Sequence, residues 1–481
     1  MAIINYSSCF LFLLLSIVLP LFLYRFPEKV EGYRFKEITV NIEHQRKTHH
    51  VVSLSSLMPA AVCSTPAQGS KSLSGLLQVY HKYGPCSPLK KGNGKIPSPR
   101  QILINDVTRV KSIHTKFSNK DSLGDSTVSL PANTGDSGNY IVQIGVGTSK
   151  QDFTVVFDTG SDLTWIQCKP CSQCYPQQDP YFDPSASSTY SIIPCGSNEC
   201  SQLNSAGYAA QSSCNTNCPY QVIYGDRSYS QGDFATDTLT LSSDVVSNFQ
   251  FGCGQNNHGL FGSADGLLGL GRSQISIVSQ TDQKYGKIFS YCLPSTTSST
   301  GFLAFGSEAG SSSTPQYTSL QTNSNYPNFY FLTMTGISVN GQSLSIPETV
   351  FKTSGTIIDS GTVITRLAPT AYSALKSAFQ QAMSKYPTAP SDSLLDTCYD
   401  LSGYTNVDLP QIVLHFEGGT DLNVDKSGIL YQDSSTQSCL AFAGNDADTD
   451  KGIVGNMQQK TFEVVYNVAG EKLGFGTGAC S

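Results

Sequence analysis

The chain has 481 residues, of which 39% are hydrophobic, 10% aromatic and only 14% charged, with a net charge of −6. Disordered chains carry more charge and fewer large apolar groups, so this balance excludes disorder, and 42 Gly with 23 Pro point to a turn-rich β protein. The length exceeds what one compact core ordinarily serves and predicts two lobes or two domains.

Charge is unevenly divided along the chain. Residues 1–130 hold 16 Lys+Arg and 7 Asp+Glu, a balance of +9, while the rest holds 14 and 29, a balance of −15. Five of the seven histidines, His44, His49, His50, His81 and His114, also fall in the first part. A basic leader on an acidic body reads as a detachable inhibitory segment held by electrostatics. A body of this charge repels phosphate, so nucleic-acid binding is expected only of the leader.

Residues 1–24 read as an export signal. Positions 9–23 form an apolar run too short to cross a bilayer comfortably, and no later segment is apolar enough to do so. No membrane partner is therefore expected once the signal is removed. Residues 25–130 form the basic prosegment and linker. Within them 73–80 reads as a strand, and 100–116 has helical spacing through Ile102, Leu103, Val107 and Val110. Residues 118–138 are rich in Ser, Asp, Gly and Asn and read as an exposed linker, hence a natural processing site. Alternation at 140–144 marks the first strand of the ordered body. The body divides near 310–325, giving an N-terminal lobe over 131–315 and a C-terminal lobe over 316–481. One helix is predicted over 372–383, with Ala371, Ala374, Leu375, Ala378 and Phe379 at helical spacing and Pro369 near its start.

The two halves echo each other around a repeated tetrad. Asp158-Thr159-Gly160-Ser161 returns 201 positions later as Asp359-Ser360-Gly361-Thr362, each copy preceded by apolar residues. Each copy is later followed by an apolar pair and a glycine, Leu267-Leu268-Gly269 and Ile453-Val454-Gly455, on a strand that could pass close to its aspartate. Two carboxyl groups about 3 Å apart cannot both ionise readily, so the pair holds one proton. The ionised partner then serves as general base towards a bound water, and the protonated one hydrogen-bonds a substrate carbonyl and later protonates the leaving nitrogen. The glycines Gly160 and Gly361 bring backbone N–H groups near the carboxylates. Ser161 and Thr362 are placed to donate to the outer oxygens, and Thr159 and Ser360 to tie the two loops together.

Of 15 cysteines, Cys9 lies in the signal and Cys63 and Cys86 in the leader. The other twelve are Cys168, Cys171, Cys174, Cys195, Cys200, Cys214, Cys218, Cys253, Cys292, Cys398, Cys439 and Cys480, an even number consistent with six disulfides in an oxidising compartment. Their pairing does not follow from the sequence. A zinc cluster at Cys168-x-x-Cys171-x-x-Cys174 is the competing reading; the export signal and the even count favour disulfides. His258 and His415 stand apart from other metal-ligating or catalytic residue types and read as surface or loop histidines. No metal or other cofactor is expected.

The paired tetrads, each with its apolar-apolar-Gly strand, resemble those of the pepsin-type aspartic peptidases over about 340 residues, from Tyr140 to Cys480. The resemblance implies an all-β, bilobal, pepsin-like acid protease fold with a few short helices, a cleft for an extended peptide, and catalytic Asp158 and Asp359. It also implies a zymogen active at acidic pH, blocked by its own prosegment through a basic residue that the sequence does not single out. Tyr224-Gly225-Asp226 resembles the tip of the family's flap hairpin, and Trp165, the only tryptophan, matches the one whose N–H contacts the flap tyrosine. The flap continues as Arg227-Ser228-Tyr229, bulkier and more charged than the family's usual small residues. The cysteines between Trp165 and the flap are similar to the insert of nepenthesin-like plant proteases. The leader run from Tyr80 to Pro88 is similar to one in a plant subgroup with chloroplast-nucleoid and apoplastic members. These likenesses imply a secreted, apoplastic monomer, with vacuole or chloroplast as alternatives. Two other readings are a catalytically idle binding or inhibitor protein on the same fold, as among xylanase-inhibitor relatives, and a nucleic-acid-associated protease. The first is countered by two intact tetrads, the second by the acidic body.

Overall fold

Each half of the body is built around one short parallel strand pair. In the first, Gly266–Gly269 runs parallel to Gln151–Asp158, with Leu268 beside Phe157 and Gly269 beside Asp158. In the second, Gly452–Val454 runs parallel to Thr356–Ile358, with Val454 beside Ile358. Both pairs are apolar and buried, as strands covered on two faces must be. These coordinates are a computed structural model that describes residues 49–58, 60–64, 74–89, 96–118, 140–210, 214–224, 228–259, 261–432 and 436–480. The export signal and the linker expected at 118–138, apart from Ser118, lie outside the described residues.

The protein is mostly β. The largest sheet has 14 strands and threads both halves of the chain. Tyr140–Val146 pairs antiparallel with Gln151–Asp158. Farther along the same sheet, Ile288–Cys292 pairs with Glu463–Asn467, which pairs in turn with Lys472–Gly476, so the chain's last strands join those of its first half. Phe289 and Tyr466 stack there with centroids 4.4 Å apart. Smaller sheets of five, four and four strands complete the second half. The helix expected at 372–383 is Pro369–Ala382, with proline in its first turn and Ala371, Tyr372, Leu375 and Phe379 buried.

The leader is woven in rather than laid on. Its strand Leu76–His81 sits inside the large sheet between Thr300–Phe305 and Tyr140–Val146, pairing Leu77 with Leu303 and Tyr80 with Ile141. A second leader strand, His49–Ser53, pairs antiparallel with Asn406–Pro410. Backbone hydrogen bonds and buried Leu77 and Val79 therefore hold the leader along with charge.

All twelve body cysteines pair: Cys168 with Cys253, Cys171 with Cys174, Cys195 with Cys214, Cys200 with Cys218, Cys292 with Cys480, and Cys398 with Cys439. A seventh bridge, Cys63–Cys86, closes a loop within the leader. Among the described residues no helix is long and apolar enough to cross a membrane, and no group of His, Cys, Asp and Glu is arranged to hold a metal.

Just before Gly266, the fully buried Asp265 accepts from Thr154 N–H at 2.5 Å. Burial, then the neighbouring Asp179, pushes its carboxyl up to about 8, and burial pushes Asp162 up to about 6. Both folded-state values exceed the unfolded one, so their neutral forms stabilise the fold fully below the ordinary carboxylate range. That stability is lost as pH rises through about 6 and then about 8. Thermal unfolding is therefore expected to occur at lower temperature at pH 8 than at pH 4, a difference on the order of a few kcal/mol. Asp265→Asn should flatten the profile; an unchanged slope would remove Asp265 as its cause.

Candidate active site

Each tetrad leaves the end of its strand as a tight loop, and the parallel neighbour presses against it. Leu270 N–H donates to the Asp158 carbonyl at 2.9 Å, and Asp359 N–H donates to the Val454 carbonyl at 3.1 Å. A side chain at Gly269 would strike the Asp162 backbone at 2.2 Å, and one at Gly455 the Val363 carbonyl at 2.7 Å. Glycine is required at both for the strand to come this close.

The two loops meet. Ser360 N–H donates to Thr159 Oγ1 at 2.9 Å, and Thr159 N–H donates to Ser360 Oγ at 3.1 Å, a reciprocal tie across the pseudo-twofold. Asp158 Oδ1 accepts from Gly160 N–H at 3.0 Å and Asp359 Oδ1 from Gly361 N–H at 3.1 Å. Thr362 Oγ1 donates to Asp359 Oδ2 at 2.5 Å. The first copy departs from this symmetry: Asp158 Oδ2 and Ser161 Oγ are buried without a hydrogen bond of ordinary geometry. The hydroxyl nonetheless lies near enough to help hold the Asp158 carboxyl down.

One leader residue joins both carboxylates. The helix Pro99–Ser118 carries Arg109, whose Nη2 donates to Asp158 Oδ1 at 2.7 Å and to Asp359 Oδ1 at 2.9 Å, while its Nε donates to Asp359 Oδ2 at 3.0 Å. The guanidinium is flanked by the tetrad glycines; a side chain at Gly361 would lie 2.4 Å from it. Burial disfavours the charge on Arg109, but the two carboxylates outweigh it and hold the group protonated. Burial also opposes the charge on Asp158, but Arg109 and then the Gly160 N–H bring it below its ordinary value. Asp359 goes the other way: burial raises it, Arg109 opposes this, and the Asp158 charge adds to the rise. The paired environments push the two aspartates apart, as sharing one proton requires.

The same helix anchors itself by a second ion pair. Asp106, fully buried, accepts from Val363 N–H at 2.6 Å, Ile364 N–H at 3.2 Å and Arg366 Nη2 at 2.8 Å. Leu103 packs with Val363 and Ile364, and Val110 and Ile113 pack with Phe329, Phe331, Ile357 and Ile453. The buried face thus holds Leu103, Asp106, Val110 and Ile113, whereas the expected Val107 is only half-buried. Sequence reading missed Arg109, Asp106 and Arg366. The available signal was an acidic and a basic residue at positions 106 and 109, interrupting an apolar helical stripe.

Trp165 is fully buried, and its Nε1 donates to the Tyr224 hydroxyl at 2.7 Å. Phe261 packs edge-on against both rings. Tyr224 follows the hairpin strand Pro219–Ile223; Gly225 and Asp226 lie outside the described residues. One histidine expectation is corrected. His415 is not a loop residue: it sits in Ile412–Phe416 between Asp421 Oδ1 and Ser338 Oγ, each 2.6 Å away. Ser338 is buried within the sheet, so this relay clamps three strands rather than meeting a substrate. His81 does not become charged on mild acidification, because burial, then Lys460 and Lys82, depress it to about 3.

Residues 140–307 match the family profile described as Xylanase inhibitor N-terminal, and residues 329–477 the one described as Xylanase inhibitor C-terminal. The chain is 48% identical over 445 residues to an aspartyl protease family protein of Arabidopsis thaliana, covering 90% of this chain and 93% of that one. It is 44% identical over 443 residues to aspartyl protease AED1 of the same plant, covering 90% and 92%. It is 37% identical over 366 residues to aspartic proteinase nepenthesin-2 of Nepenthes gracilis, covering 74% and 81%. Among solved structures, edgp superposes with a TM-score of 0.57 at 20% identity, and basic 7S globulin from soybean with 0.55 at 20%; each match covers 70% of this chain and 91% of the other. At that identity the two structures speak for the fold alone.

Proposed function

The chain belongs to the pepsin-type aspartyl proteases of plants and is an aspartic endopeptidase, and we propose that Asp158 and Asp359 carry the reaction while the leader keeps it closed. The observation that carries this reading is one guanidinium nitrogen within 2.9 Å of a carboxylate oxygen from each tetrad. That nitrogen stands where a water would be held between the two carboxyl groups. With Arg109 withdrawn, the pair keeps one proton. The ionised carboxylate takes a proton from the water as its oxygen bonds the scissile carbonyl carbon, and the protonated partner gives its proton to the carbonyl oxygen. The tetrahedral diol then collapses: the C–N bond breaks as the carboxyl that took the water's proton gives it to nitrogen, and the carbonyl re-forms as a diol hydroxyl returns its proton to the other carboxylate, restoring the singly protonated pair. Tyr224, held by Trp165, closes the flap over an extended peptide.

The leader acts as inhibitor, and acid opens it. The relevant group is Asp158, whose charge pairs with Arg109, rather than His81. Seven disulfides and the apolar run at 9–23 support export, with the apoplast as destination. The two lobes span 131–315 and 316–481, and the enzyme works as a monomer. Both tetrads are complete, which favours hydrolysis over an idle inhibitor on the same fold. Acidifying the full chain is expected to yield a new N-terminus between residues 118 and 139, read by N-terminal sequencing, together with the onset of pepstatin-sensitive peptide cleavage. Equal cleavage by the unprocessed chain at neutral pH would contradict the inhibitory leader.

A further inference from the structure

Asp106 marks a place in the cleft built to hold a carboxylate. Its three partners, Val363 N–H, Ile364 N–H and Arg366 Nη2, all belong to the body and lie within one to seven residues of Asp359 and Thr362 in the chain. The body holds these donors in place without the leader. Arg366 Nη1 donates to the Ile364 carbonyl at 2.7 Å. Met457 N–H donates to the Val363 carbonyl at 3.1 Å, and Asn456 N–H to the Thr362 carbonyl at 2.7 Å. Gln458 Oε1 accepts from Thr365 N–H at 3.2 Å and from its hydroxyl at 2.5 Å, fixing the start of the strand Thr365–Leu367. When the helix leaves, the carbonyls of this loop keep their partners and the donors facing the cleft lose theirs. A largely buried guanidinium and two converging N–H groups without an acceptor form an anion site.

We propose that this cradle is a substrate subsite selective for an acidic side chain, Asp or Glu, and that Arg366 is its specificity-determining residue. The proposal rests on the reading that the leader helix vacates the cleft. Asp106 and Arg109 are three residues apart on one helix, a rise of about 4.5 Å, which an extended peptide covers in one to two residues. The acidic side chain therefore belongs one or two positions from the bond that is cut. The leader itself presents the pattern: Arg109 takes the place of the reacting centre and Asp106 mimics the preferred side chain.

The test uses the acid-activated full chain and matched peptides carrying Asp or Asn at each position flanking the cleaved bond, assayed near pH 5, where a free Asp is mostly ionised. One position should show kcat/KM roughly 10- to 100-fold higher for Asp than for Asn. Arg366→Met should bring the Asp-to-Asn ratio of kcat/KM at that position close to one. A second measurement needs no body variant: a synthetic peptide of residues 98–118 should inhibit, and its Asp106→Asn form should bind roughly 10-fold or more weakly by calorimetry. Neutral and acidic peptides cut equally well would overturn the subsite and leave the protease reading standing. If no peptide were cut, the protease reading would fail, and equal binding of the two synthetic peptides would then overturn the subsite as well.

Discussion

Asp158→Ala and Asp359→Ala are each expected to abolish pepstatin-sensitive peptide cleavage by the acid-activated chain, lowering kcat by at least about 10³- to 10⁴-fold. The two losses should not add, because base and acid act as one unit sharing one proton. Folding should survive: each aspartate is an acceptor at a loop, and the reciprocal Thr159–Ser360 ties do not depend on either carboxylate. Circular dichroism and thermal unfolding of each variant separate lost chemistry from lost structure. Cleavage retained by either folded variant would sink the dyad.

The second large effect concerns the leader. Arg109→Gln removes one cation that meets two buried carboxylates, and breaking a buried pair of this kind costs about 3–5 kcal/mol. That difference bears on the closed state alone, so the unprocessed variant should show on the order of 10²- to 10³-fold more peptide cleavage than the wild-type unprocessed chain at the same mildly acidic pH. The sign of the pH dependence follows from Asp158. Its carboxyl is held below the ordinary range in the closed state, so the contact stabilises closure above that range and is lost as pH falls through the lowered value. Burial leaves the Asp359 carboxyl raised overall, but Arg109 lowers it as well, so Asp359 adds to this only through Arg109, and withdrawal of Arg109 is favoured as pH falls. Wild-type activation should therefore need acid, and Arg109→Gln should shift its midpoint to higher pH. Assaying the uncleaved chains from pH 3 to 7 reads both effects. An unshifted midpoint would mean that the helix is held by its apolar face and Asp106 alone.

The dyad was legible in the sequence because the fold is duplicated: the same local problem, a carboxylate on a loop crossed by a glycine-bearing strand, is solved twice with nearly the same residues. Trp165 and Tyr224 were legible because their chemistry is specific, an N–H donor and a hydroxyl acceptor at recognisable spacings from the first tetrad. Disulfide pairing was not legible. Cys168 meets Cys253 only because Trp165–Gln167 lies beside Asp244–His258 in the sheet, a neighbour relation with no local trace. The leader was read as basic and detachable, and its electrostatic part was legible in composition; that one of its strands would enter the central sheet was not, since an apolar stretch does not state its partner.

What the sequence by itself determined was the chemistry on offer: two equivalent aspartate loops, an acidic body, a basic leader and enough cysteine for a bridged fold. What only the tertiary structure decided was selection among equals. Sixteen basic residues precede the body, and among the described ones Arg109 stands over both aspartates, because helix docking through Leu103, Val110 and Ile113 sets which residue the helix points at the dyad. Asp106 and Arg366 meet for the same reason, 260 positions apart, where burial makes their pairing a requirement of packing rather than a property of either residue.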